Sequence, residues 1–259
     1  MAWEHSVRPL SMAAGEISAL RLINTLSGTQ PLLLHAQGHH RNKPHWQPIK
    51  AAFFATPERR IGPIPELAVV TCNNGHRAMG ILERSLDHLG IPYRVLGRGV
   101  RPWVNAVSKP RCLLEAARST DAPYLLYADS RDAIAIGDLS RVLAHFRSLR
   151  GCELLFGADR INWPPLREFA RFEEGLPGAK ESDFRYLNGG LWIGRTSFCR
   201  KFFAEVVATA PVPGAEQSEQ GLLKTLFPRH YPRVQLDYTC ALFQNLGFVG
   251  APIFEIHDD

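Results

Sequence analysis

Cysteine is sparse and shows no pairing pattern: Cys72, Cys112, Cys152, Cys199 and Cys240 are odd in number and spread along the chain, with no CxxC. That excludes a small domain framed by disulfides and points to buried thiols in a reducing compartment. Long apolar runs are missing too. No stretch approaches the roughly 18–20 residues that a membrane-spanning helix needs, and Glu4 and His5 stand where a secretory signal would be apolar. A soluble, cytoplasmic protein with no transmembrane segment is expected. Charge is not concentrated: the net is +5, but no Lys/Arg run exceeds two. This argues against nucleic acid and for a small anionic ligand such as a phosphate ester. Internal repeats and low-complexity tracts are absent, as are a DxDxT nucleophile loop and a Gly-rich loop after the first strand. A metal-dependent phosphatase or nucleotidyltransferase is therefore disfavoured.

What is present is 259 residues with 45% hydrophobic content, enough for a sizeable core. "LAVVTCNN" (67–74) reads as a buried parallel strand with a polar end, and "GHRAMGILERSLDHLG" carries apolar positions at helical spacing until Gly90. Strands at "IPYRVLG", "PYLLYAD" and "CELLFGAD" alternate with helices at "SKPRCLLEAARST" and "DLSRVLAHFRSLRG". That alternation predicts an α/β fold: a mostly parallel sheet with helices on both faces and a ligand at the carboxyl ends of the strands. Asp129, Asp159 and the Asn73-Asn74 pair all fall at such ends. Residues 38–65, with five prolines and many basic residues, read as loop and linker, and residues 1–14 as disordered.

Asp129 and Asp132, in "YADSRDAIAIG", end an apolar strand. Two carboxylates so close raise each other's pKa unless a cation lies between them. A divalent ion such as Mg²⁺ or Mn²⁺ removes the conflict and can bridge to a diphosphate. The plainer reading of DxxD alone is a solvated loop with an Arg131 ion pair.

"YADSRDAIAIG", "FGADRINWP", "YLNGGLWIG" and "LDYTCALFQNL" occur in this order over roughly residues 66–247. Together they resemble the glycosyltransferase domain of procollagen lysyl hydroxylases and its microbial relatives, which are GT-A folds using a nucleotide sugar and a divalent metal. The resemblance implies that Asp129 and Asp132 hold the metal and that Thr71 marks the uridine and ribose site. It puts Lys109 near the donor phosphates or sugar, and Trp163 and Asn188 on the sugar and acceptor side. Glu219 and Gln220 of "SEQ" match the family's Asp-Gln pair, with the carboxylate one methylene further out. Arg131 replaces an aromatic residue between the metal acids. Plainer readings stand beside these: Trp163 as a packing plug, "NGG" as a turn, Asp237 as a structural acceptor, Cys72 and Cys240 as core.

Related domains end with His-x-x-Gly and then Lys-Pro, where the histidine is the third metal ligand and the lysine neutralises the diphosphate. Here "PLLLHAQGHHRNKPHW" (31–46) supplies His35, Gly38 and Lys43 at the opposite end of the chain. The resemblance therefore implies a circularly permuted GT-A domain. Residues 15–46 would be the displaced metal and diphosphate motif, 47–65 the connector and 66–259 the nucleotide-sugar core. Two rivals are that the N-terminal 50 residues are the tail of a lost preceding copy, or that they swap into a second copy, giving a homodimer; His257 would then be the substitute metal ligand.

The implied activity is transfer of glucose or galactose from a UDP-sugar to a hydroxyl on a glycan, glycoconjugate or protein, with retention of configuration. Mn²⁺ or Mg²⁺ would be the cofactor. Asn188, Glu219 and Gln220 are the candidates beside the anomeric carbon. A nucleotide-sugar-binding module without turnover is the alternative.

Overall fold

The computed structural model describes residues 20–38, 43, 46–76, 79–247 and 254–258. Residues 1–14, expected to be disordered, lie outside that description. A six-stranded sheet forms the centre, in the order β4 (Arg94–Leu96), β3 (Leu67–Cys72), β5 (Tyr124–Ala128), β8 (Tyr186–Arg195), β7 (Leu154–Asp159), β9 (Val234–Asp237). β8 runs antiparallel to both neighbours, and the other pairings are parallel. The fold is thus the mixed α/β type of GT-A domains, with a mostly parallel sheet.

Every residue of β5 is buried, which requires cover on both faces of the sheet. Side chains three apart on a strand point to opposite faces. Tyr127 stacks on Trp192, which meets Phe203 of α6 (Thr196–Ala208), whereas Tyr124 meets Phe146 of α4 (Ser140–Ser148). α3 (Asn105–Ser119) packs against α6 and α7 (Glu219–His230).

A second, three-stranded sheet has the order β10 (Phe243–Asn245), β2 (Leu33–His35), β6 (Ala133–Ala135), with β2 parallel to β10 and antiparallel to β6. An N-terminal strand is thereby enclosed by strands that follow it by about 100 and 210 positions. β1 (Leu20–Asn24) and β11 (Phe254–Asp258) form an antiparallel pair with Leu20 opposite Asp258 and Arg21 opposite His257.

Three expectations need correction. Residues 38–65 are not all loop and linker, because α1 (Trp46–Ala55) forms within them and buries Trp46, Ile49 and Phe53 on one face. Pro48 sits in its first turn, where a missing N–H is harmless. "NGG" is not a turn: residues 188–190 lie inside β8. α2 spans only Ile81–Leu89, leaving Met79 outside it and 54% exposed.

Candidate metal centre and cleft

β5 ends at Ala128, and the next four residues turn tightly into β6, so Asp129 and Asp132 emerge on one side. The Asp129 N–H donates to Gly190 O (2.9 Å), and Asp129 O accepts from the Ala133 N–H (3.2 Å). β2 brings His35 between the acids: its Nε2 lies 3.5 Å from Asp129 Oδ2 and 3.4 Å from Asp132 Oδ1. One donor atom from each residue lies within 4.8 Å of the others. Asp129 Oδ1 is already engaged, by Lys109 Nζ at 2.9 Å and by the Tyr127 hydroxyl, which leaves Oδ2 for a further partner.

One imidazole and two carboxylates form a hard donor set suited to Mn²⁺ or Mg²⁺. Electrostatics points the same way. Burial would lower the His35 pKa, but the charges of Asp132 and Asp129 outweigh it and raise the group to about 9. Burial likewise pushes Asp132 up, and His35 more than reverses that, leaving it below the ordinary carboxylate range. A proton on the imidazole thus does in the metal-free protein what a cation would do: it separates two acids that repel each other.

The two glycines of "NGG" have a steric reason. A Cβ on Gly190 would lie 2.1 Å from His35 Cε1, and one on Gly189 would lie 2.8 Å from Leu223 Cδ1 and 2.9 Å from Glu219 Oε1. The imidazole rests on bare backbone.

A cleft of about 770 Å³ opens over the three residues, lined also by Gly38, Lys109, Asp159, Trp163, Asn188 and Glu219–Gln220. Glu219 Oε2 pairs with Lys109 Nζ at 3.3 Å, while Oε1 is buried without a partner. Burial pushes the Glu219 carboxyl above its usual range, and the Asp129 and Glu219 carboxylates overcome burial to hold Lys109 above its own. Asn188 Nδ2 donates to Asp159 Oδ2 (2.9 Å) and its Oδ1 accepts from the Gly190 N–H (2.9 Å). Gln220 accepts from the Gly189 N–H (2.9 Å) and donates to Trp163 O (2.6 Å), pinning the loop that carries Trp163 to β8. Trp163 is 59% exposed at the rim, so it is not a packing plug.

Not every expected residue reaches the cleft. The Thr71 hydroxyl is buried and donates to Ala128 O (2.7 Å), and Arg131 is exposed outside the lining. Lys43 Nζ donates to the Ala36 carbonyl and is not among the residues that line the cleft. Asp237 is the structural acceptor its plainer reading describes, taking the N–H groups of Ala241, Leu242 and Phe243. The His257 side chain lies outside the described residues. Among the described residues, the His/Cys/Asp/Glu group able to hold a metal is His35, Asp129 and Asp132.

Gln37, Tyr127 and Asn245 contribute without having been expected, and Asp159 had only its strand-end position. Gln37 Nε2 donates to Asp159 Oδ2 at 2.7 Å. The available signal was a polar residue two positions after His35, on the same side of an extended chain.

Comparison with known proteins shows the family. No curated protein matches the chain. Among solved structures, the crystal structure of A197 from STIV is similar at 16% identity, covering 74% of this chain and 85% of that one. The TM-score of that likeness is 0.39. The family model of the PLOD GT domain matches residues 64–253, beginning after β2 and His35. The chain belongs to the family of the PLOD GT domain, the glycosyltransferase domain of lysyl hydroxylases.

Proposed function

We propose that this protein is a metal-dependent glycosyltransferase that moves glucose or galactose from a UDP-sugar to a hydroxyl acceptor, with retention. The observation that carries the reading is the triad of His35, Asp129 and Asp132 at the floor of a cleft with an unpartnered buried carboxylate oxygen. His35 Nε2, Asp129 Oδ2 and Asp132 Oδ1 would hold Mn²⁺ or Mg²⁺, which supplies Lewis-acid stabilisation of the departing diphosphate.

The chain's own residues do the rest. Lys109 and Tyr127 fix Asp129 by occupying Oδ1. Glu219 Oε1 accepts a hydroxyl of the donor hexose, the partner that a buried orphan acceptor calls for. Gln220 and Asn188 hold their neighbours in place beside the anomeric carbon, and Trp163 offers an exposed ring to a sugar or glycoconjugate acceptor. Gly38, at the cleft with φ 78°, flanks the diphosphate, and Lys43 would have to leave the Ala36 carbonyl to join it.

The whole chain reads as one circularly permuted GT-A domain, with 15–46 as the displaced motif, 47–65 as the connector and 66–259 as the core. Two observations support this. β2 lies between β10 and β6, and Leu20 is opposite Asp258, so a short turn would join β11 to β1 as a hairpin. The fold also supports self-completion over completion of a neighbour's site, since His35 meets Asp129 within one chain.

The test is calorimetric titration of UDP with Mn²⁺ and with EDTA, on the wild type and on His35→Ala. Metal-dependent binding lost in the variant is expected, and binding unchanged in the variant removes His35 from the site. A second reading, nucleotide-sugar binding without turnover, is favoured by Glu219, whose extra methylene ties it to Lys109. UDP-sugar binding with no release of UDP in the presence of diverse acceptors would select it.

A further inference from the structure

The face of His35 that points away from the acids is held by a side chain outside the cleft. β2 and β10 run parallel with Asn245 beside His35, and His35 Nδ1 lies 2.9 Å from Asn245 Oδ1. The amide cannot be turned round. Its Nδ2 is 2.8 Å from the Ala158 carbonyl, which can only accept, so its oxygen must face the imidazole. An acceptor at that place requires a proton on Nδ1. When the ring is neutral, its single proton is then on Nδ1 and its lone pair on Nε2, the nitrogen aimed at Asp129 and Asp132.

Asn245 is itself braced. The Gln244 amide donates to Asn245 O (2.9 Å) and accepts from Asn24 Nδ2 (2.7 Å). Asn24, Gln244 and Asn245 are all essentially unexposed, so water has no access to replace any of these bonds. Two adjacent buried amides in a three-residue strand are out of place as packing, since apolar side chains would fill β10 without the desolvation of polar groups. One of their hydrogen bonds, accepted by Asn245 Oδ1, reaches the His35 ring, and the others hold Asn245 in place.

We infer that Asn245 is a positioning residue that fixes the tautomer and plane of His35 so that Nε2 is presented as a metal ligand. The inference rests on the reading of His35 as that ligand. Outer partners of ligating histidines act in this way elsewhere, and losing one weakens metal affinity by about 10–100-fold.

The experiment measures Mn²⁺ affinity of the wild type, His35→Ala, Asn245→Leu and Asn245→Asp. It adds the ¹⁵N spectrum of labelled histidine in the wild type loaded with diamagnetic Mg²⁺. Both Asn245 variants lose the bond to Ala158 and differ in whether an acceptor faces Nδ1, so the pair separates orientation from packing. Expected are a loss of about tenfold or more in Asn245→Leu, clearly tighter binding in Asn245→Asp, and a His35 signal protonated at Nδ1 only. Equal affinity of both variants and the wild type, while His35→Ala abolishes binding, overturns the inference alone. So does a proton on Nε2 in the Mg²⁺ form, a result that stands even if the variants fail to fold. A wild type that binds no Mn²⁺ overturns the metal reading and this inference with it.

Discussion

The smallest feature with a large consequence is the missing side chain at residue 190. Gly190→Ala would drive a methyl group into the His35 ring, so the imidazole must shift. Mn²⁺ affinity should fall at least about tenfold, on the scale seen when a ligand's support is lost, measurable by titration against the wild type. The His35 proton gives a second prediction. Its pKa is raised to about 9 from an ordinary 6.5. In metal-free protein this contributes stability that is complete below about pH 6.5 and is lost as pH rises through about 9. Thermal melts at those two pH values should show the loss without metal and a smaller loss with Mg²⁺, which replaces the proton. Metal binding near neutral pH should release about one proton, readable from calorimetry in buffers of different ionisation enthalpy. Equal enthalpies in all buffers would contradict it.

At the scale of elements, α5 (Arg167–Glu174) and α7 are joined by a buried ion pair, Lys224 Nζ to Glu173 Oε2 at 2.8 Å, with Asn162 Oδ1 also accepting from Nζ at 2.7 Å. Burial lowers the Lys224 pKa and raises that of Glu173. Lys224→Ala leaves the Glu173 carboxyl buried without its ion-pair partner, and should cost about 3–5 kcal/mol in urea unfolding. Glu173→Gln together with Lys224→Met should recover much of it. The central strands were legible because they are apolar runs ending in polar residues, as at Ala128-Asp129 and Ala158-Asp159. α1 was not, because prolines at 44, 48 and 57 outweighed three apolar residues at helical spacing. The plainer reading of "NGG" as a turn failed because what makes the glycines necessary, the His35 ring and the Leu223 and Glu219 side chains, comes from other elements. Gln37 and Asn245 were illegible as site residues because each acts through a partner more than 100 positions away.

For the whole molecule, the decisive relation is between the N-terminal strands and the last ones. If the chain is a permuted domain, joining Asp258 to Leu20 by a short turn and opening the chain ahead of Ile64 should leave a folded protein with the same Mn²⁺-dependent UDP affinity. Circular dichroism and calorimetry check both parts. A relinked chain that folds but does not bind would mean that the connector, including α1, has a role in the site. His35 was legible as a candidate ligand because "HAQG" with Lys43 resembles a pattern whose parts have separate chemical uses. That it would meet Asp129 required the sheet order, which no local pattern carries.

The enclosure of β2 also sets a schedule for synthesis. His35 is made early, but Asn245, which grips it, lies 210 residues later. At roughly 5–20 residues per second on the ribosome, that separation is about 10–40 s. During that time β2 has a partner in neither flanking strand at first, then only in β6, and its apolar "LLL" remains a strand edge open to other chains. The site is therefore completed only once β10 has been made, and a chaperone that shields β2 until then would raise the yield of active protein more than one acting on the core.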